Sequence, residues 1–226
     1  TGIVSVPDKR LKELSDLAKS QKIIPAQMQF VDIAGLVSGA SKGEGLGNKF
    51  LSHIREVDAI IHVLRCFEDT DITHVENDIN PLRDAEIIET ELMLADIESL
   101  ERQIQNLTKK AKTNDQEAKN DLLLMKELYT LLSEGTPVRL GDFKEEKIKQ
   151  YKNFNLLTSK PILYVCNVNE NDASSGNKFT KSIYEKAKNE NCEAVIISGS
   201  IESEIALLNY NEKIDFLKDL DLEESG

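Results

Sequence analysis

Short apolar runs alternate with helix-like segments in the first and last thirds of the chain. The runs are four to eight residues long, and several end in a polar or acidic residue. Such runs are typical of buried strands, and strands that alternate with helices are typical of a mainly parallel sheet covered on both faces. The sequence therefore predicts an α/β fold with strands over residues 3–6, 27–32, 59–66, 161–166 and 193–198.

Helix signals lie between these runs. Pro7 comes just before a Leu- and Ala-rich stretch, which is typical of a helix start. A glycine-dense segment at residues 35–47 is too flexible to predict regular structure. The predicted helices cover residues 9–20, 48–56, 178–189, 201–208 and 212–220.

The middle of the chain has a different pattern, with two long amphipathic helices predicted over residues 81–112 and 117–134. Asn80 and Pro81 form a plausible N-cap and first helical position. A polar turn joins the helices, so we expect an antiparallel coiled-coil hairpin with arms of about 30–45 Å at ~1.5 Å per residue. The predicted apolar stripes are Ile87, Leu94, Ile97, Ile104 and Leu107, then Leu122, Met125, Tyr129 and Leu132.

We therefore expect three parts in the chain. Residues 1–80 form the first part of an α/β domain, residues 81–135 form the inserted hairpin, and residues 136–226 form the second part of the domain. The fold predicted overall is a mainly parallel α/β sheet with helices on both faces, interrupted by this hairpin.

Composition narrows the function classes. The formal net charge of −12 argues against broad polyanion binding by the chain as a whole. The three cysteines have no metal-ligand spacing, and reduced thiols fit a cytoplasmic protein. No signal peptide or membrane-length apolar run occurs, so we expect no membrane association.

A first polar motif, Asp32-Ile33-Ala34-Gly35, follows a predicted strand. In nucleotide hydrolases the Asp of D-x-x-G holds a Mg²⁺-bound water, and the backbone N–H of the Gly meets the γ-phosphate. Glycine suits that position because the chain must approach the phosphate closely. The motif alone is weak, and its context between a strand and a Gly-rich segment strengthens it.

A second motif, Asn167-Val168-Asn169-Glu170, follows the predicted strand at 161–166. GTPases carry N-K-x-D here, in which the Lys stem covers the base and the Asp accepts two hydrogens from guanine. Val168 and Glu170 depart from that pattern, and both changes weaken guanine discrimination. A second N-x-x-D frame at 169–172 lies two residues further from the strand, and a simple polar turn is the alternative interpretation.

A third motif, Ser198-Gly199-Ser200, follows the predicted strand at 193–198. GTPases place an S-A-x loop here, and one of its backbone N–H groups contacts the base. A helix N-cap formed by Ser198 or Ser200 explains the same residues equally well. Three such motifs in this order, each at a strand end, favour a nucleotide site at the carboxyl edge of the sheet.

These residues resemble the YchF/Obg-like ATPase family. The resemblance is carried by FVDIAGLVSGASKGEGLGNKFLSHIRE at 30–56, RCFED at 65–69, DITHV at 71–75 and NVNE at 167–170. It implies a P-loop domain with an inserted coiled-coil hairpin and a C-terminal TGS domain. It also implies binding of ATP, or of both ATP and GTP, with Mg²⁺, and association with ribosomes.

The resemblance also implies roles for particular side chains. Leu36 stands where many GTPases carry a water-positioning Gln, and it cannot orient water by hydrogen bonding. His74 matches a family histidine proposed for that role, although a solvent-exposed loop histidine is an equally good interpretation. His53 and His62 are expected to be structural. Near the hairpin turn Lys109, Lys110 and Lys112 form a candidate RNA contact, with a solvated turn as the alternative.

The sequence thus favours a ribosome-associated switch protein that binds and slowly hydrolyses ATP. A non-catalytic protein- or RNA-binding module that uses the hairpin is a second interpretation. An Obg-type GTPase is a third, and comparing the ATP and GTP affinities of the intact protein would separate it from the first.

We predict that this chain alone binds nucleotide weakly and hydrolyses none. No G-x-x-x-x-G-K-[ST] occurs in its 226 residues. The resemblance implies that the family's P-loop would precede Thr1 and that the TGS domain would follow Gly226. The P-loop supplies most of the triphosphate contacts. Isothermal titration of the 226-residue chain should give no tight binding, and tight Mg²⁺-dependent ATP binding would contradict the prediction.

Overall fold

A computed structural model describes residues 1–33, 46–68, 79–111, 115–220 and 222 of the chain. For residues 46–49, 110, 111, 210 and 211 it describes the backbone only. The chain divides into two compact units, Thr1–Gly35 and Leu36–Gly226.

The first unit is a β-ribbon with one helix. Strand β1 (Gly2–Ser5) pairs antiparallel with β2 (Gln27–Phe30), and helix α1 (Arg10–Ala18) connects them. The Asp8 carboxylate accepts a hydrogen bond from the backbone N–H of Arg10 at 3.0 Å where α1 begins, and Lys19 ends the helix with a φ of 51°. The predicted strands and helix are confirmed, whereas their antiparallel pairing did not follow from the sequence.

The second unit contains a three-stranded parallel sheet. Strands β3 (Ile60–Arg65), β4 (Ile162–Asn167) and β5 (Glu193–Ile197) lie in the order β3-β4-β5. In the pairing register Arg65 lies opposite Asn167, and Asn167 lies opposite Ile197. The predicted α/β class with a parallel sheet is therefore confirmed, and all three strands end at the same edge.

The described residues of the second unit contain seven α-helices. The six helices predicted in this unit are all observed, with bounds within three residues of the prediction, whereas α5 and the 3₁₀ turns before and after it were not predicted. The helices are α2 (Leu46–Glu56), α3 (Pro81–Ala111), α4 (Gln116–Ser133), α5 (Glu145–Tyr151), α6 (Lys178–Asn189), α7 (Gly199–Ile205) and α8 (Tyr210–Asp219).

The sheet packs on helices α3 and α6 through small and aromatic side chains. Tyr164, Cys66 and Cys166 from the sheet are almost fully buried, and they lie in one apolar cluster with Ala85 of α3 and Ile183 of α6. The cysteines are free thiols in this core. Both therefore act as small buried hydrophobic side chains.

Helices α3 and α4 form the predicted hairpin. At ~1.5 Å per residue α3 is about 46 Å long. The Tyr129 hydroxyl donates a hydrogen bond to Glu101 Oε1 at 3.0 Å, which joins the two helices. The division into 1–80, 81–135 and 136–226 stays a prediction.

The packing face of the hairpin largely follows the predicted stripes, because Ile97, Ile104, Leu107, Met125, Tyr129 and Leu132 all pack in one apolar cluster. Leu94 is the exception. Leu94 is 40% exposed, whereas Leu100 is fully buried against Leu128 of α4. An α-helix has 3.6 residues per turn, so a strict seven-residue stripe drifts around its surface. The same cluster also contains Tyr151 and Leu156, which lie beyond α4, so the base of the hairpin packs against a third layer of chain.

Buried charges hold α3 and α6 against β4. Arg139 Nη2 lies 2.8 Å from Glu190 Oε2 and also contacts Glu89, and Lys186 bridges the same two carboxylates. The Tyr164 hydroxyl donates to Glu190 Oε2 at 3.0 Å. A group of oppositely charged, mutually hydrogen-bonded side chains is the form in which buried charge is tolerated.

His62 lies beside this charged group. Burial, followed by the positive charges of Lys186 and Arg139, lowers its pKa to about 4. The imidazole is therefore neutral near pH 7, and its ring centroid lies 5.9 Å from that of Tyr164.

Asp96 connects helix α3 of the hairpin to the turn before β4, the strand that leads into the candidate site. Its side chain is fully buried on α3 and accepts the backbone N–H groups of Leu157 and Thr158, both at 2.8 Å, and the Thr158 hydroxyl at 2.7 Å. Arg55 Nη1 lies 3.9 Å away. Burial raises the pKa of Asp96, and these hydrogen bonds and the guanidinium oppose that rise. The carboxylate thus fixes the turn Leu157–Ser159, directly before β4, to the middle of α3.

We predict that Asp96→Asn lowers the free energy of unfolding by about 2–4 kcal/mol. An amide nitrogen donates hydrogen bonds, so at least one buried backbone N–H loses its acceptor. Glu98→Gln is the matched control, since Glu98 lies on the same helix with its side chain 57% exposed and only a 3.6 Å ion pair to Arg102. Glu98→Gln should lower the free energy of unfolding by less than about 0.5 kcal/mol. Equal losses for the two variants in urea unfolding would contradict the prediction.

Candidate functional site

The loops that follow β4 and β5 meet at the carboxyl edge of the parallel sheet. Asn167 ends β4, and Ser198 follows the last residue of β5. Because neighbouring parallel strands end together, the predicted motifs at 167–170 and 198–200 come into contact. Open α/β sheets bind their ligands at this edge.

Asn167 forms the first connection between the two loops. Its side-chain Oδ1 accepts a hydrogen bond from the backbone N–H of Gly199 at 2.9 Å. The backbone N–H of Val168 donates to the carbonyl of Ile197 at 2.9 Å. A Cβ atom at Gly199 would lie 3.4 Å from Asn167 Oδ1, which is an ordinary contact, so the alanine of an S-A-x loop would also fit.

Glu170 and Ser200 form the second connection. The Ser200 hydroxyl donates to Glu170 Oε1 at 2.6 Å, and both side chains are exposed. Glu170 begins the 3₁₀ turn Glu170–Asp172, which presents its carboxylate toward the loop after β5. A short hydrogen bond to a carboxylate is among the stronger polar contacts in proteins.

Asp172, the acidic residue of the second N-x-x-D frame, has another partner. Its Oδ2 accepts a hydrogen bond from Asn177 Nδ2 at 2.8 Å. The carboxylate is thereby tied to the start of α6, whereas that of Glu170 contacts the loop after β5. The geometry thus favours the frame 167–170 as the one that serves a ligand at this edge.

Val168 contributes to the core and not to the surface of the site. Its side chain is 3% exposed and lies in the apolar cluster with Cys66 and Ile183. A lysine at this position could cover a base with its stem only if its side chain left that cluster. Val168 therefore supports the loop from below.

Ser198 occupies the N-cap position of α7 but makes no side-chain cap hydrogen bond. Its hydroxyl is buried, with no hydrogen-bond partner among the described parts of the chain. The predicted N-cap position is therefore confirmed for Ser198, but its side chain does not provide the capping hydrogen bond. Gly199 and Ser200 are instead held by Asn167 and Glu170 from the neighbouring loop.

Asn177 positions the loop after β4 and was not among the predicted site residues. Its Oδ1 accepts the backbone N–H groups of Phe179 and Thr180 at the start of α6, and its Nδ2 donates to the carbonyl of Cys66 at 2.8 Å. The Thr180 hydroxyl accepts the N–H of Asn177 at 2.9 Å, which completes a capping box. The Asn-x-x-Thr spacing before a predicted helix is the signal that could have identified it.

Several predicted residues cannot be placed at this edge. Asp32 is exposed at the end of the first unit, after β2, and Lys109 is exposed near the end of α3. The predictions for Gly35, Leu36, His74 and Lys112, and for the side chain of Lys110, lie outside the described residues.

The fold and the family comparison define the class of this protein. A family model described as "50S ribosome-binding GTPase" matches residues 14–118. Together with the parallel α/β sheet and the polar loops at its carboxyl edge, this match defines a domain of the P-loop GTPase class.

More specific relatives cover the whole chain. "Ribosome-binding ATPase YchF" of Pasteurella multocida is 49% identical over 226 residues, which is 100% of this chain and 62% of the relative. The protein of the same name from Bacillus subtilis is 48% identical over 227 residues, again 62% of its length. The chain is therefore homologous along its whole length to the YchF family, which confirms the resemblance found in the sequence.

A solved structure gives the same result. The structure titled "Structure of the Schizosaccharomyces pombe YchF GTPase" superposes with a TM-score of 0.82 at 34% identity. The superposition covers 98% of this chain and 61% of the Schizosaccharomyces pombe chain. The chain thus spans about 62% of the length of the curated relatives it matches. Within the described ranges, no helix is long and apolar enough to cross a membrane.

We predict that Asn177→Ala destabilises the protein by about 2 kcal/mol and speeds amide exchange at Phe179 and Thr180. The substitution removes the helix cap and both side-chain donors that hold the loop. Asn189→Ala is the matched control at the exposed end of the same helix and should change stability by less than about 0.5 kcal/mol. Unfolding curves and hydrogen exchange measure both effects. Unchanged exchange at the two amides in the Asn177 variant would refute the positioning role.

Proposed function

We propose that the full-length protein containing this chain is a ribosome-associated nucleotide hydrolase that binds ATP, with GTP as the alternative substrate. The observation that carries this proposal is the meeting of two polar loops at the carboxyl edge of β4 and β5, joined by Asn167–Gly199 and Glu170–Ser200 hydrogen bonds. The names of the relatives, "Ribosome-binding ATPase", support the same activity and partner.

In this proposal the two loops bind the base. Asn167 braces the loop after β5, and Glu170 offers carboxylate oxygens to the polar edge of a purine. Ser198, Gly199 and Ser200 line the opposite side of the base. Val168 contributes apolar support from the core.

Asp32 and Gly35 are the residues proposed to meet Mg²⁺ and the γ-phosphate. Mg²⁺ keeps several waters and is usually held by one or two carboxylates together with substrate phosphates. The exposed carboxylate of Asp32 suits that kind of binding, through a water molecule. Bound Mg²⁺ would neutralise charge on the phosphate oxygens. Gly35 would allow the backbone to approach the γ-phosphate closely.

Slow hydrolysis follows from the residues proposed to meet the nucleophilic water. Leu36 has no hydrogen-bonding group with which to orient water. His74 is the proposed substitute, since an imidazole can orient water or stabilise developing charge. Hydrolysis would then depend on how the segment with His74 is placed, which suits a switch protein better than a fast enzyme.

The hairpin is the proposed partner-binding element. Lys109 is exposed near the end of α3, and Lys110 and Lys112 follow in sequence. Positive charge at the end of a long hairpin, in a chain with net charge −12, is a local feature that would attract RNA. A ribosome-associated role places the protein in the cytoplasm.

The test uses the full-length protein and two asparagines of the same loop. Asn167→Ala should lower Mg²⁺-ATP affinity about tenfold, because the loop after β5 loses its brace. Asn169→Ala removes an exposed amide two residues away and should change affinity less than about threefold. Isothermal titration measures both. Absence of ATP binding by the unsubstituted protein, or equal losses in the two variants, would overturn the proposed site.

A further inference from the structure

The two hydrogen bonds that join the loops also use groups that a guanine base would need. Guanine presents an acceptor, O6, beside two donors, N1–H and the N2 amino group. A loop that recognises guanine must therefore offer one donor and two acceptors in a row. Adenine presents a donor, the N6 amino group, beside the acceptor N1, so a single protein acceptor serves its exocyclic group.

The donor that would meet O6 is already engaged. The backbone N–H of Gly199 donates to Asn167 Oδ1 at 2.9 Å. A guanine O6 could use this N–H only by displacing or sharing the asparagine oxygen. A backbone amide carries one hydrogen, so sharing weakens both contacts.

One of the two carboxylate acceptors is engaged as well. Glu170 Oε1 accepts the Ser200 hydroxyl at 2.6 Å, so one lone pair of that oxygen is used and the carboxylate is held toward the loop after β5. Both side chains are exposed at the sheet edge, so a ligand can reach them. Capture of both guanine donors by this carboxylate would therefore compete with a charge-assisted hydrogen bond that already sets its orientation.

We propose that Ser200 is a specificity-determining residue, whose hydrogen bond to Glu170 Oε1 fixes the carboxylate and competes with the guanine donors, and thereby disfavours guanine relative to adenine nucleotides. This inference rests on the proposed function, because it requires a purine nucleotide at this edge. It assigns the discrimination to the pair Ser200–Glu170. The Glu170 that stands in place of the Asp of N-K-x-D is then only part of the reason why guanine is disfavoured.

The test compares ATP, GTP and inosine triphosphate binding to the full-length protein with Mg²⁺. Ser200→Ala frees Glu170 Oε1 and should raise GTP affinity relative to ATP about fivefold. Inosine lacks the N2 amino group, so its affinity should rise less than that of guanine. Ser200→Thr keeps the hydroxyl and should leave the ratio unchanged. Ser203→Ala is the matched control, since its hydroxyl donates to the Gly199 carbonyl at 2.7 Å on the same helix.

The outcomes separate this inference from the function on which it rests. If the unsubstituted protein binds no nucleotide, the proposed function fails and the inference fails with it. If it binds ATP but Ser200→Ala leaves the GTP-to-ATP ratio unchanged, only the inference fails. A parallel loss of ATP and GTP affinity, or an equal gain for GTP and inosine triphosphate, also overturns the role of Ser200.

Discussion

Backbone hydrogen bonds between β3, β4 and β5 place Arg65, Asn167 and Ile197 side by side at one edge of the sheet. The contacts between the two loops of the candidate site depend on this register. The loops after β4 and β5 can exchange hydrogen bonds only because their strands end at the same level. A slip of one residue would turn the side chain of Asn167 to the other face and would expose the buried side chains of β4.

Parallel strands require long connections. The longest connection in the sheet, between β3 and β4, is fixed to the rest of the unit by buried polar contacts. The connection between β3 and β4 contains both hairpin helices, yet Asp96 ties the middle of α3 to the turn before β4. The charged group around Glu190 and Arg139 holds the same layer at a second place. These two anchors join the base of the hairpin to the layer that contains β4.

The candidate site itself combines rigid and exposed parts. Asn177 and Val168 fix the loop after β4 from its two ends, through a helix cap and through core packing. Glu170 and Ser200 remain at the surface, joined to each other. A held backbone with an exposed polar pair is suited to recognising the edge of a planar ligand, because the orientation of the acceptors is set before binding.

The sequence by itself determined the strands, the two long helices and the polar motifs at the strand ends, because period, caps and strand-end composition are local signals. Even Asn177 left such a signal in its capping-box spacing. The predicted stripe of α3 is kept at Ile97, Ile104 and Leu107, but only the tertiary structure decided that Leu100 is buried and Leu94 is not, since a third layer of chain packs against the helices. It also decided that Glu170, and not Asp172, meets Ser200. The contact between Glu170 and Ser200 joins residues 30 positions apart, and no local pattern encodes a hydrogen bond between side chains that only the register of a sheet brings together.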